Sequence, residues 1–381
     1  AIKEDIRYLM KHGAKTIKFV DRTFNISRSY AMEMFQFLID EHVPGTVFQF
    51  EITGDIMRPE VIEFLNENAP AGLFRFAIGV QSTNDLTNEL VQRRQNFSKL
   101  SRTVTMVKEG GKIAQHLDLI AGLPEEDYDS FRDTFNEVFA LRPEELQLGF
   151  LKLLRGTGLR IQAEQYGYRF IDTAPYEIVS NNVLSFDDML KIKQTEDILE
   201  KYWNSGRFIH SMEYIVTELV DTPFDFFQLF GAFWENQGWS RIGHQFEDLF
   251  TRLEQFLKEV LKVDTEIARS LLKIDYLAHQ KFLPRKIWWG PSTLQEEQLR
   301  EINQFLVRSP HVLGERFVAL GHTDRTIRKQ VFITDTAAKL EEDLTVKKDR
   351  GYLIFQYSPS QEAQYFHLSD QVLANLKEQK H

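Results

Sequence analysis

Five polar or glycine-bearing segments hold the residues that could do chemistry: 21–25, 51–55, 79–82, 118–124 and 152–158. They recur about every 30 residues, the length of one strand–helix–strand repeat. Glu51 and Asp118 offer carboxylates that accept hydrogen bonds from an ammonium or from hydroxyls. Asp21, Thr23 and Asn25 place three polar side chains in one short stretch, and Gln81 adds an amide two residues after Gly79. Such a set suits a zwitterionic nucleoside, which shows ammonium, carboxylate and hydroxyl groups together. The chain has no cysteine, so its own residues form neither disulfides nor thiolate-bound metal centres. Its acids show no metal-ligand spacing.

Each of these residues also has a plain structural reading. Glu51 and Asp118 can cap helices or sit solvated at strand ends, and Gln81 with Ser82 can cap the helix that follows. Gly122 and Pro124 read as turn formers. His116 reads as a strand residue on an interior face rather than a metal ligand. Trp288, Trp289 and the phenylalanine clusters read as core.

The elements that must position the polar segments follow from periodicity. Apolar runs predict strands over 15–21, 46–52, 72–80, 113–120 and 145–153. Between them the spacing changes to that of helices. Ile2, Ile6, Leu9 and Met10 mark one stripe, Ala31, Met34, Phe35, Leu38 and Ile39 a second. A helix over 60–68 carries Pro59 in its first turn, and one over 97–108 stops at Gly110 and Gly111. Tyr128, Phe131, Phe135, Val138 and Phe139 form another stripe. Alternating strands and helices predict a parallel sheet of right-handed crossovers. Ligands of such sheets lie beyond the carboxyl ends of the strands, where the five polar segments fall.

After residue 158 the alternation stops. Residues 185–280 read as mostly helical, with aromatic clusters at 223–230 and 233–234. Pro284, Gly290 and Pro291 punctuate a boundary. A helix over 294–307 and short strands over 316–320, 329–333 and 351–357 read as a small α+β piece. A chain of 381 residues exceeds one ordinary core, which predicts domains over 1–160, 161–285 and 286–381. The formal charge of −10 argues against non-specific nucleic-acid binding and against anionic membrane surfaces. No apolar run approaches the ~18 residues of a membrane span, so a cytoplasmic location is the expectation.

The series FVDRTFN, FQFEITGD, FAIGVQS, HLDLIAGLPEE and LGFLKLLRGTGL, in that order over residues 1–160, resembles the radical S-adenosylmethionine (radical SAM) superfamily. The GVQS and DLIAGLP pair is its most specific part. The branch it resembles holds coproporphyrinogen dehydrogenase-type enzymes and cobalamin-binding members. The remainder looks like the uncharacterised C-terminal extension of some cobalamin-dependent members.

The resemblance implies residue roles. The turn at Asp21, Thr23 and Asn25 would meet the methionyl amino group, and it is similar to an acidic variant rather than to the glycine-rich form. Glu51 would accept from that ammonium. Gln81 would bond the ribose and Asp118 its hydroxyls. Arg93, with Arg94 as its neighbouring rival, would clamp the methionyl carboxylate through a planar fork. Adenine would lie against backbone near Leu151, Lys152 and Leu153.

The superfamily's 4Fe–4S cluster is held by a CxxxCxxC loop between first strand and first helix, and this chain begins at that helix without a cysteine. The expectation is therefore an α/β fragment: a partial (β/α)6 TIM-like barrel missing its first strand, then a helical domain and the α+β end. No catalytic or metal-ligating residue is expected within it. The implied parent is an oxidoreductase or methyltransferase that cleaves S-adenosylmethionine. The parent would use an electron donor such as flavodoxin or ferredoxin, a small-molecule substrate and, in the cobalamin branch, cobalamin. A non-catalytic binding or assembly module that retains the barrel is the alternative. An ordinary TIM-barrel hydrolase or lyase would need eight strands, against the five counted here.

Overall fold

The structure, a computed structural model, describes residues 1–290, 294–313, 324–341, 345–358 and 362–371. The chain divides into two compact units, Ala1–Asn204 with Thr222–Ala232, and Ser205–Asp221 with Phe233–His381.

The first unit runs α1 (Ile2–Lys11), β1 (Thr16–Lys18), α2 (Arg28–Glu41), β2 (Val47–Ile52), α3 (Pro59–Asn68), β3 (Phe74–Gln81), α4 (Asp85–Leu90), α5 (Phe97–Gly110), β4 (Ala114–Ala121), α6 (Tyr128–Phe139) and β5 (Glu145–Phe150). All five strands are parallel, in the order β1-β2-β3-β4-β5. The fold is thus α/β around a five-stranded parallel sheet. Each crossover steps one strand in the same direction, and right-handed crossovers then put every helix on one face. Burial shows the result. Phe48, Phe50 and Ile52 of β2, Phe74, Phe76 and Ile78 of β3, and Leu117 and Leu119 of β4 are buried. Their alternating neighbours lie on the other face and are half-buried or exposed.

Local chemistry sets the helix ends. Ser27, Asn96 and Asp127 accept the amides of Tyr30, Lys99 and Ser130 and so cap α2, α5 and α6. Pro59 occupies the first position of α3, where its missing N–H costs nothing. Gly111 ends α5 at φ 63°, a left-handed conformation in which most side chains are strained. In α1 only Ile6 and Met10 are buried; Ile2 (53% exposed) and Leu9 (43%) are not, so the predicted stripe is half as wide as the sequence suggested.

The unit continues through α7 (Gly158–Ile161), the ladder of β6 (Arg169–Phe170) with β7 (Ile178–Ser180), and α8 (Phe186–Leu199). Residues 151–153 do not extend β5. The amide of Leu151 still bonds to Ala121, but its carbonyl accepts from Ile178, and Leu153 donates to Tyr176. Asn204 bonds both the amide and the carbonyl of Leu146 at 2.9 Å, which occupies the outer edge of β5.

In the second unit, α9 (Ile209–Tyr214), the later part of α10 (Pro223–Asn236), α11 (Phe246–Phe256) and α12 (Thr265–Ala278) precede α13 (Glu296–Arg308). β8 (Val331–Leu340), β9 (Val346–Gln356) and β10 (Gln364–Ser369) form an antiparallel sheet of order β10-β9-β8. Ile302 and Leu306 of α13 pack with Ile354 and Leu368 of that sheet. Buried Asp275 accepts the amides of His210 and Ser211 and the Ser211 hydroxyl, which anchors the start of α9. The predicted strand over 316–320 lies outside the described residues. No described helix is long and apolar enough to cross a membrane.

Candidate functional site

The open face of the parallel sheet carries the site, because strand alternation sends every second side chain there. Register places Glu51, Ala77, His116 and Glu145 in one row, and Gly79, Asp118 and Gln147 in the next row toward the carboxyl edge. Neighbouring strands stand about 4.8 Å apart, so each row is a ladder of side chains within reach of one another.

His116 is the hub of a polar network on this face. Its Nε2 lies 2.9 Å from Asp118 Oδ1 and 3.0 Å from Gln147 Oε1, and its Nδ1 lies 3.3 Å from Glu145 Oε2. Arg75 pairs with the same Glu145 carboxylate. The hydrogen bond to Asp118 raises the pKa of His116, against an opposing effect of burial; Glu145 adds to the rise and Arg75 subtracts from it. Asp118 is therefore held by an imidazole at one oxygen. The sequence placed His116 on an interior barrel face; in the structure it is half-buried on the open face of the sheet. The sequence did not reveal Arg75, Glu145 and Gln147, although the period-two pattern put all of them on the same side.

At the end of β3 the backbone bulges between Gly79 and Gln81, and Gln81 takes φ 70°. Arg93 reaches back to donate to the Gly79 carbonyl at 2.6 Å and to Gln95 Oε1 at 3.0 Å. A Cβ on Gly79 would fall 2.6 Å from Gln81 Nε2 and 3.5 Å from the Arg93 guanidinium. Gly79, Gln81 and Arg93 thus form one corner, with Asp118 on the adjacent strand opposite Gly79. Gln81 Oε1 is buried without a hydrogen-bond partner, an acceptor left for a donor such as a sugar hydroxyl. Burial lowers the pKa of Arg93, partly offset by Asp55. Arg94 is exposed.

The turn after β1 is tied to the end of β2. Buried Asn25 donates to the carbonyl of Thr53 and accepts its amide, both at 2.9 Å, and Thr23 Oγ1 lies 3.1 Å from Thr53 Oγ1. Asn25 spends its amide on the backbone, leaving exposed Asp21 and half-buried Thr23 as the more open polar groups of that turn. Glu51 is exposed two residues before Thr53. Around the proposed adenine position, Leu151 and Leu153 are buried and their carbonyls accept from the Ile178 amide and from Arg160, whereas Lys152 is exposed.

A second cluster was not foreseen from sequence. Glu126 is fully buried behind the corner, where Ser82 Oγ and Thr134 Oγ1 both donate to its Oε1. Burial pushes its pKa up to about 7 despite those two bonds, and its Oε2 has no partner. The segment GLPEE showed two adjacent acids, but only the fold distinguishes buried Glu126 from exposed Glu125.

These residues fit the nucleoside of S-adenosylmethionine: an orphaned acceptor and an arginine fork share a corner with Asp118, and exposed Glu51 stands one row back on the open face. They do not fit an iron–sulfur cluster. The chain offers no thiolate, and among the described residues no three histidine or acidic side chains gather at metal-binding distance.

Comparison with known proteins gives two family matches. A model described as the radical SAM superfamily matches residues 1–138, and one described as a protein of unknown function (DUF4080) matches residues 164–355. The oxygen-independent coproporphyrinogen III oxidase of Paracoccus denitrificans (strain Pd 1222) is 31% identical over 80 residues, 21% of this chain and 18% of that protein. The enzyme of the same name from Escherichia coli (strain K12) is 30% identical over 116 residues, 30% of this chain and 24% of that protein. The chain therefore spans less than a quarter of either relative. A solved structure of the radical S-adenosylmethionine methyltransferase TsrM from Kitasatospora setae, with cobalamin and a 4Fe–4S cluster bound, superposes with TM-score 0.37 at 16% identity. That superposition covers 48% of this chain and 37% of the methyltransferase.

Proposed function

The chain belongs to the DUF4080 family of proteins of unknown function and to the radical SAM superfamily, and from that premise we propose that its parallel-sheet unit binds S-adenosylmethionine across the carboxyl edge of β2, β3 and β4. The observation that carries the reading is the corner of Gly79, Gln81 and Arg93 opposite Asp118, with the Gln81 acceptor unpartnered. In this reading Gln81 and Asp118 receive the ribose hydroxyls. The free N–H groups of Arg93 meet the methionyl carboxylate, and Glu51 accepts from the ammonium beside the turn of Asp21, Thr23 and Asn25. Leu151 to Leu153 back the adenine. His116 holds Asp118 in place by its 2.9 Å contact.

In this superfamily a 4Fe–4S cluster supplies the electron that reductively cleaves S-adenosylmethionine. This chain lacks cysteine, so the reading assigns the cluster thiolates to residues outside these 381 and takes the sheet as part of a (β/α)6 barrel. For the whole enzyme it includes oxidoreductase or methyltransferase chemistry on a small molecule in the cytoplasm. A reductant protein such as flavodoxin or ferredoxin belongs to it, as does cobalamin in the methyltransferase case.

Saturation-transfer NMR of the chain with S-adenosylhomocysteine tests the reading without a cluster. Transfer should appear at the ribose H1′ and adenine protons. Gln81→Ala combined with Asp118→Asn should weaken binding about tenfold or more, the loss of about 1.4 kcal/mol. Absence of transfer from the unaltered chain sinks the reading and favours a binding or assembly module that keeps the sheet.

A further inference from the structure

On the helix-bearing side of the same unit, residues 55–58, the first turn of α3 and the first half of α5 enclose a pocket of about 440 Å³. Its lining is mixed: Met57, Ile62 and Met106 supply apolar wall, and exposed Arg58, Lys99 and Arg102 stand beside them. The floor is fixed: buried Thr103 donates to the Gly54 carbonyl at 2.8 Å, and Ile62 and Met57 are buried. None of the three cations is ion-paired among the described residues, whereas Lys3 and Arg7 of α1 each hold a glutamate. The pocket's carboxylate, Asp55, already accepts the amide of Asn96 at 2.9 Å.

Three unpaired cations stand against one engaged acid at this pocket. Like charges around one pocket repel, and an anion between them would relieve that repulsion. A volume in the range of small-molecule sites, a partly apolar lining and several polar groups are the features of a ligand pocket. Two guanidiniums and an ammonium supply the donors and the charge that a phosphate dianion takes. The apolar walls call for a hydrocarbon or aromatic body attached to it. The geometry points to a binding site for a small phosphomonoester with an apolar body, held at its phosphate by Arg58, Lys99 and Arg102. The proposal does not depend on the reading of the open sheet face.

Calorimetric titration of the whole chain with phenyl phosphate, inorganic phosphate and phenol tests this. Phenyl phosphate should bind saturably at one site per chain, at least tenfold tighter than inorganic phosphate, and phenol should not bind. Arg58→Gln with Arg102→Gln should weaken phenyl phosphate tenfold or more at unchanged far-UV circular dichroism. Lys99→Gln, a single change at an exposed position, gives the same readout should the double variant misfold. No saturable binding, equal affinity for inorganic phosphate, or undiminished binding by folded variants overturns the site. Gln81→Ala should leave phenyl phosphate binding unchanged, which separates this result from any failure on the sheet face.

Discussion

His116 and Glu126 are both titratable, and the fold moves both pKa values upward for different reasons. For His116 the cause is the bond to Asp118, which favours the charged ring. Its contribution to stability is complete below the ordinary imidazole value of 6.5 and is lost as pH rises through the raised value. His116→Gln should therefore flatten the fall in melting temperature on the alkaline side of 6.5, and identical pH profiles for the two proteins would refute the pairing. For Glu126 the cause is burial, which favours the neutral acid. Its folded pKa of about 7 against an ordinary 4.5 means that stability is fully present below 4.5 and declines as pH rises through 7. Glu126→Gln should remove that decline, a difference of about 3 kcal/mol between pH 4.5 and pH 8 at 1.36 kcal/mol per pKa unit. Urea unfolding at the two pH values measures it, and an equal change in unfolding free energy in the two proteins would show that Glu126 stays charged inside.

At the scale of elements, the turns after β3 and β4 do the positioning. Gly122 follows β4 at φ 92°, and a Cβ there would fall 2.0 Å from Ile178 Cδ1. Gly122→Ala should cost about 1–3 kcal/mol from strain and overpacking together. Adding Ile178→Val should recover only part of that loss, since φ remains unfavourable; chemical denaturation of both variants separates the two terms. Strands β2, β3 and β4 were legible to within two residues because Phe48, Phe50, Phe74, Phe76, Leu117 and Leu119 alternate cleanly. The end of β5 was not, because Leu151 and Leu153 are as apolar as a continuing strand but bond to Tyr176 and Ile178. Period reveals that a run is buried, not which neighbour buries it. The same limit hid the network on the open face: Arg75, His116 and Glu145 are 41 and 29 residues apart, and only register joins them. Arg93 and Arg94 are identical as letters, and a bond to Gly79 tells them apart.

At the scale of the molecule, the first unit is not one stretch of chain. After Asn204 the chain leaves it and returns at Thr222. The returning residues complete an aromatic cluster: Phe224 stands 5.3 Å from Phe135 and 6.2 Å from Phe131, and Phe227 stands 5.7 Å from Phe139. Residues 185–280 read as mostly helical throughout, so composition carried no mark of this excursion. Phe224→Ala should cost about 3–5 kcal/mol, as large-to-small changes of buried aromatics do. Hydrogen exchange should quicken across α6 while the amides of β9, in the other unit, keep their rates. Uniform acceleration in both would contradict a division into two compact units.

The two-faced strands have a consequence for variation. In β2, β3 and β4, every second position is fixed by close packing against helices, and the positions between answer only to whatever lies on the open face. A lineage can therefore rewrite Gln49 or Glu51 without disturbing the scaffold, while Arg75, His116, Asp118, Glu145 and Gln147 must change in concert because they share one polar network. A mutant library confined to those seven positions should stay largely folded while its ligand preferences drift. The same number of changes at Phe48, Phe50, Phe74, Phe76, Leu117, Leu119 and Leu148 should yield few survivors.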